Sequence, residues 1–117
     1  RVTMGKPIWK HQMIQAKLAD MAMRLEASRQ LVWRAAAAFD AGASESAKLA
    51  SMAKCFAGDM AVYVTGEALQ IHGGYGYSRD LPIEKLYRDA KIFQIFEGTN
   101  EIQRTIIAKN LIAENKI

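Results

Sequence analysis

Apolar residues recur at alternating intervals of three and four over two long stretches of the chain. From about residue 9 to 39 they form a stripe of Ile14, Leu18, Met21, Leu25, Ser28, Val32, Ala35 and Phe39. From about residue 44 to 71 a second stripe contains Leu49, Ala53, Phe56, Met60 and Tyr63. This spacing is typical of helices that pack on other helices. Because the break between them is short and Gly42 can cap the first helix, they are predicted to be antiparallel neighbours.

Two shorter helices are predicted in the second half. Glycines at 73, 74 and 76 should end the second long helix, because three glycines in four residues are unfavourable inside a helix. A capping residue just before Pro82 predicts a third helix over about 82–93, with inward residues Ile83, Leu86, Tyr87 and Ala90. Thr99 or Asn100 should cap a last helix over about 99–113, with apolar residues at Ile102, Ile106, Ala108 and Leu111. With no stretch alternating long enough for a strand, the prediction is a single all-α domain, a four-helix up-down bundle.

Composition and charge narrow the class of protein. The 117 residues are enough for one domain with a core, and a net charge of +4 without a basic block argues against a nucleic-acid binder. No apolar run reaches the length of a membrane span, and residue 1 does not begin a signal-peptide pattern. Cys55 is the only cysteine, which favours a reducing compartment and a protein that is not secreted. The chain opens on Arg1 instead of Met, so we expect a piece of a longer protein.

The candidate chemistry begins at Glu97. An apolar run from residue 92 ends on this carboxylate, and Gly98 and a capping Thr99 follow at once. This places an acid in a partly desolvated corner beside flexible backbone, a setting that suits a general base. The opposite interpretation is an acid near a helix N-terminus, which the helix dipole stabilises as a weaker base. The residues alone do not separate the two.

Two other segments have alternative interpretations. Residues 70–77 (QIHGGYGY) fit a simple helix stop, or a place where backbone approaches a ligand closely with Gln70 and His72 as polar contacts. The basic N-terminal residues, led by Arg1, fit a solvated end or a phosphate contact. His11 and His72 lack metal-ligand spacing, so no metal site is expected.

Taken together, three blocks resemble the C-terminal domain of the acyl-CoA dehydrogenase family. They are residues 1–8 (RVTMGKPI) with Gln12, residues 70–77, and the distinctive residues 87–104 (YRDAKIFQIFEGTNEIQR). The resemblance implies a helical bundle that forms the last third of a flavoenzyme, after an N-terminal helical domain and a middle β domain. Such enzymes bind FAD, oxidise an acyl-CoA to the trans-2-enoyl-CoA in β-oxidation and fatty acid metabolism, and pass electrons to an electron-transfer flavoprotein. They are usually homotetramers assembled through this domain.

The resemblance also implies roles for individual residues. Glu97 matches the catalytic base, which removes the α-proton while a hydride leaves the β-carbon for flavin N5. Phe96 and Gly98 would lie against the substrate. The positions that match cofactor contacts are Arg1, Thr3, His11, Gln12, Gln70, Gly73, Gly74, Thr99 and Glu101. Of these, Arg1 and Thr3 match contacts to the FAD pyrophosphate region. Gln70 and Gly74 match contacts to the adenosine end of an FAD held by a neighbouring subunit.

Alternatives remain open at this point. An acyl-CoA oxidase of the same superfamily would pass its electrons to oxygen, and the amphipathic stripes alone fit a non-catalytic helical oligomerisation module. The substrate's chain length and branching, a tetramer or a dimer, and a bacterial cytoplasm or a mitochondrial matrix are equally open. The 117 residues by themselves are expected to be inactive and to bind FAD weakly or not at all.

Overall fold

A computed structural model describes residues 1–116, which form a helical bundle with a small hairpin at its start. The elements in chain order are β1 (Val2–Thr3), β2 (Lys6–Pro7), a 3-10 turn (Ile8–Lys10), α1 (Gln12–Asp40), α2 (Ser46–His72), α3 (Gly74–Tyr77), α4 (Ile83–Ala90), a 3-10 turn (Lys91–Gln94) and α5 (Asn100–Asn115). The all-α prediction is confirmed, and the four main helices are α1, α2, α4 and α5. Within residues 1–116, no helix combines the length and apolarity needed to cross a bilayer.

The helices α1 and α2 are joined by a tight glycine turn. Gly42 has φ +63°, the left-handed conformation that glycine adopts most readily. Its N–H donates to the carbonyl of Phe39, and the N–H of Ala43 donates to the carbonyl of Ala38. These bonds satisfy carbonyls that the end of α1 leaves unpaired. The predicted cap at Gly42 is confirmed, and α2 returns along α1.

The core lies between α1 and α2, and α2 is the central element because α4 and α5 also pack on it. Ala35, Leu49 and Ala53 are buried there, with Leu31, Ala38 and Met52 packed around them. Half of the predicted α1 stripe is inward, but Leu18, Leu25, Val32 and Phe39 are exposed by 43 to 76%. Small side chains therefore set the distance between the helices, and a second apolar column of α1 faces outward.

The glycine-rich segment corrects one prediction. Residues 74–77 form a short helix, α3, although three glycines in four residues were expected to exclude helix. The break falls on Gly73 alone, whose φ of +64° ends α2. Gly76 lies inside α3 because a Cβ there would be 2.6 Å from Cβ of His72 and 2.9 Å from the carbonyl oxygen of Leu69. Close packing against α2, not backbone freedom, explains this glycine.

Two further details differ from the sequence predictions. The hairpin of β1 and β2 was not predicted, because two-residue strands are too short to show alternation. Its turn residues Met4 and Gly5 both have positive φ, as in a type I′ turn. The third helix begins at Ile83, with Pro82 as its N-cap and no capping side chain. The Asp80 carboxylate does not cap this helix and accepts a hydrogen bond from the Ser78 hydroxyl at 2.9 Å.

Candidate active site

The predicted site residues fall into two clusters along α2. Phe96, Glu97, Gly98, Thr99 and Glu101 lie on or beside residues 95–99, a loop that packs near the middle of α2 and that we call the Glu97 loop. The remaining residues lie at the C-terminal end of α2, beside the hairpin and the start of α1. Asp59 beside the loop and Gln70 at the other cluster are 11 positions apart on α2, about 17 Å along the axis.

The Glu97 loop has an unusual backbone. Glu97 has φ +53° and Gly98 has φ +86°, so two consecutive residues occupy the left-handed region. For Glu97 this conformation costs about 1 to 2 kcal/mol. The contacts that hold the loop must offset this cost, because an unsupported glutamate would relax toward negative φ.

Within residues 1–116, Glu97 does not lie in the partly desolvated corner that its sequence neighbours suggested. Its side chain is exposed, and the apolar neighbours Ile95 and Phe96 are also 51% and 43% exposed. Phe96 packs edge-on against Phe93, with 5.5 Å between ring centroids. The carboxylate therefore stands at the rim of an apolar wall that residues 1–116 do not cover.

Two side chains hold the carbonyls of the loop. Gln103 of α5 donates from Nε2 to the Glu97 carbonyl at 3.1 Å, and its own side chain is buried. Lys54 of α2 donates from Nζ to the Gly98 carbonyl at 2.6 Å. Thr99 then caps α5, since its Oγ1 accepts the N–H of Ile102 at 3.3 Å. The loop is thus fixed by neighbouring helices.

Asn100 and Asp59 form the centre of a polar network under the loop. Asn100 is 2% exposed, and its Nδ2 donates to Oδ1 of Asp59 at 2.8 Å and to the carbonyl of Cys55 at 3.1 Å. Asp59 also accepts from Nε2 of Gln94 at 2.8 Å and from Nη2 of Arg104 at 2.7 Å. Burial by itself would raise the pKa of Asp59, but the hydrogen bonds from Arg104, Asn100 and Gln94 outweigh it and lower the pKa.

Neither Asp59 nor Lys54 was predicted from the sequence. The one signal for Asp59 is its position, four residues after buried Cys55 and three before Val62, where an acid interrupts a face of small or apolar residues. Its partners are 35 to 45 positions distant in the chain. Contacts at that separation cannot be inferred from helical periodicity.

The second cluster surrounds Arg1. Its Nη1 donates to the His72 carbonyl at 3.4 Å, which brings the N-terminus onto the C-terminal end of α2. A Cβ at Gly73 would lie 2.7 Å from the same Nη1, so a side chain there would displace the guanidinium. A cavity of about 370 Å³ opens here, lined by Arg1, Ile8, Ile71, His72, Tyr75 and Leu81.

Thr3 and His11 extend this cluster. Nε2 of His11 lies 3.2 Å from both Oγ1 and the carbonyl oxygen of Thr3, so one hydrogen bond or the other ties the hairpin to the start of α1. Gln12, Gln70 and Gly74 are exposed at the same end of the molecule. The predicted cofactor residues of this cluster therefore lie on one surface. The other two predicted cofactor residues, Thr99 and Glu101, lie at the Glu97 loop.

The matching family model and two of the most similar relatives are acyl-CoA dehydrogenases or their C-terminal domain. Residues 1–112 match the family described as "Acyl-CoA dehydrogenase, C-terminal domain". An acyl-CoA dehydrogenase of Bacillus subtilis is 56% identical over 96% of this chain and 29% of its own length. Cyclohexane-1-carbonyl-CoA dehydrogenase of Geobacter metallireducens is 52% identical over 97% of this chain and 30% of its own length. The chain therefore spans less than a third of the curated relatives it matches.

A solved structure agrees in fold. Butyryl-CoA dehydrogenase from Megasphaera elsdenii superposes with a TM-score of 0.91 and 49% identity, covering 96% of this chain and 29% of the other. Because nearly half of the aligned residues are identical, the similarity includes the side chains as well as the helical fold.

Proposed function

This chain belongs to the acyl-CoA dehydrogenase family, as its C-terminal domain, and from that membership we propose that the protein containing it is an FAD-dependent acyl-CoA dehydrogenase. The proposed reaction converts an acyl-CoA to its trans-2-enoyl-CoA. The Cα–H proton and the Cβ–H hydride leave, and the two carbons form a double bond. The observation that carries the proposal is the Glu97 loop, which presents a carboxylate beside an apolar wall on a fixed backbone.

Glu97 is proposed to take the α-proton. Its exposed carboxylate can reach a substrate that lies along Ile95 and Phe96, and a substrate there would remove water from the acid. Such desolvation favours the neutral form of a carboxyl and strengthens it as a base. Among residues 1–116 the Glu97 N–H makes no hydrogen bond to a backbone carbonyl, which leaves it available to the thioester oxygen. A donor aimed at a developing enolate lowers the barrier to proton removal.

The residues around Arg1 fit a dinucleotide. A guanidinium binds phosphate oxygens through paired donors, and Gly73 leaves the space in which this guanidinium lies. Thr3 adds a hydroxyl, and exposed Gln70 and Gly74 add amide and backbone contacts near the cavity. At the other cluster, Thr99 and Glu101 lie beside the base. FAD, when bound, supplies the acceptor for the hydride that leaves the β-carbon.

The partners follow from the same proposal. The substrate is an acyl-CoA, the electron acceptor is an electron-transfer flavoprotein, and the enzyme is a homo-oligomer, a tetramer or a dimer. The exposed apolar column of α1 (Leu18, Leu25, Val32 and Phe39) supports contact with further protein, because an exposed apolar surface of this extent is unusual on an isolated domain. The two compartments proposed are a bacterial cytoplasm or a mitochondrial matrix.

A substrate panel on the full-length protein tests the function. Butyryl-, octanoyl-, isobutyryl- and cyclohexanecarbonyl-CoA are added anaerobically while flavin absorbance is followed. At least one should bleach the flavin and yield a product two hydrogens lighter by mass spectrometry. A full-length protein that binds FAD but is not bleached by any acyl-CoA would contradict the proposal, and rapid reoxidation by air would favour the oxidase alternative.

A further inference from the structure

Asp59 binds to both sides of the Glu97 loop. Oδ1 of Asp59 accepts from Gln94, the residue before the loop, and from Asn100, the residue after it. Its Oδ2 accepts from Arg104, one turn further along α5. One carboxylate on α2 therefore fixes the start and the end of the loop relative to each other.

The network continues to the peptide groups of the loop itself. The Lys54 ammonium donates one hydrogen bond to Oδ1 of Asn100 at 2.7 Å and another to the Gly98 carbonyl at 2.6 Å. Gln103 holds the Glu97 carbonyl from the other side. Asp59 is therefore connected to the Glu97 peptide group by hydrogen bonds of 3.1 Å or shorter and by the backbone of α5.

We infer that Asp59 is a positioning residue for Glu97, acting through Asn100, Lys54 and Gln103 to keep Glu97 in the left-handed conformation. This inference rests on the proposed function, since it concerns the base of that reaction. Asp59 itself is not expected to touch the substrate. Loss of its charge frees Arg104 and Gln94 and lets the loop relax, so the carboxylate is misplaced while the surfaces for substrate and cofactor remain.

Single-turnover flavin reduction in the full-length enzyme tests the inference, with the acyl-CoA that bleaches wild type fastest. Asp59→Asn should reduce the rate at saturating substrate by about 10- to 100-fold, the effect of misplacing a reacting group by an ångström or less. Substrate dissociation constant and flavin content should stay at wild-type values, and Asp59→Glu should recover part of the rate. Asp20→Asn, the same change at an exposed site on α1, should have no effect.

A second cycle separates positioning from general stability. In a Glu97→Gln background, adding Asp59→Asn should change the residual rate by less than about 2-fold, because the group that it positions is gone. A similar loss in both backgrounds, or a loss that matches lost flavin, would overturn the inference. So would a wild-type rate in Asp59→Asn.

Gln103→Met provides the test if Asp59→Asn does not fold. It removes the donor to the Glu97 carbonyl and keeps the side-chain length, so the slow rate with unchanged substrate binding should appear again. A wild-type rate in this variant would overturn the inference. If wild type is bleached and Glu97→Gln is bleached far more slowly, a wild-type rate in Gln103→Met counts against the network alone. An unbleached wild type would instead remove the proposed function and this inference together.

Discussion

At the residue scale, Gly98 has two constraints that a side chain would violate. Its φ of +86° is unfavourable for any residue with a Cβ, and a Cβ there would lie 2.6 Å from Nε2 of Gln103. That nitrogen is the donor to the Glu97 carbonyl. A side chain at 98 would therefore strain its own backbone and also displace a group that holds the proposed base.

Substitution of two glycines separates these effects. Gly42 has a similar φ of +63° but no atom within 4 Å of a built Cβ. Gly42→Ala should lower the unfolding free energy by about 1 to 2 kcal/mol, the cost of the left-handed conformation. Gly98→Ala should cost about 1 kcal/mol more, because Gln103 loses its hydrogen bond. Scanning calorimetry of the full-length variants measures both, and equal losses would contradict the steric role of Gln103.

The depressed pKa of Asp59 predicts a pH dependence. Because its pKa is lower in the folded state, its contribution to stability is fully present above the unfolded value of about 4 and is lost as pH falls through the folded value. The stability difference between wild type and Asp59→Asn should therefore shrink below pH 4. Since the side chain is 41% exposed, the effect should be modest. A difference that is independent of pH between 3 and 7 would contradict this assignment.

At the element scale, periodicity predicted the helices but not all of the faces that they bury. The column Ile14, Met21, Ser28 and Ala35 faces inward, whereas the more apolar column of Leu18, Leu25, Val32 and Phe39 does not. Periodicity therefore predicts which positions of a helix are apolar, but it does not predict which of them are covered within residues 1–116. The ion pair of Arg88 with Glu84, 2.8 Å apart on α4, is a contact of the kind that periodicity does encode, because the two residues lie one helical turn apart.

In the candidate site, too, residues with an informative local pattern were predicted and residues defined by distant contacts were not. Glu97, Gly98 and Thr99 were identified because their local pattern is informative, and the cap at Thr99 is confirmed. Their catalytic and binding roles remain predictions. Asp59 and Lys54 were not identified, because their importance comes from contacts across more than 40 positions.

The N-cap of α5 gives a prediction for one element. Thr99→Ala removes the acceptor of the Ile102 N–H and should cost about 1 kcal/mol of stability. Thr105→Ala is the matched control, since Thr105 is exposed within the helix and alanine is the better helix former there. Its stability should stay within about 0.5 kcal/mol of wild type. Equal losses in urea unfolding of the two full-length variants would show that the cap has no special role.

At the scale of the whole molecule, residues 1–116 bury little of their apolar surface. These residues extend over 60 × 27 × 26 Å, and none of the large side chains that the structure describes is less than 2% exposed. Exposed apolar residues occur on α1, on the Glu97 loop and on α5. Such surfaces are typical of a domain that forms part of a larger assembly.

The isolated 117 residues should therefore bind the dye ANS and self-associate. The double variant Leu25→Gln, Val32→Gln should reduce both effects, because it removes two members of the exposed α1 column. The isolated chain should also show no turnover of butyryl- or octanoyl-CoA. ANS fluorescence, sedimentation and an enoyl-CoA assay measure these outcomes. A monomer without dye binding would contradict the importance of this surface, and turnover would contradict the need for further domains.

Glu97→Gln in the full-length enzyme decides whether Glu97 removes the α-proton. This change keeps the shape of the side chain and removes its ability to accept a proton. Stopped-flow reduction of the flavin at saturating acyl-CoA should slow by about 10²- to 10⁴-fold, the usual contribution of a general base. Flavin content and acyl-CoA binding should be unchanged. Reduction at the wild-type rate would contradict the assignment of the base.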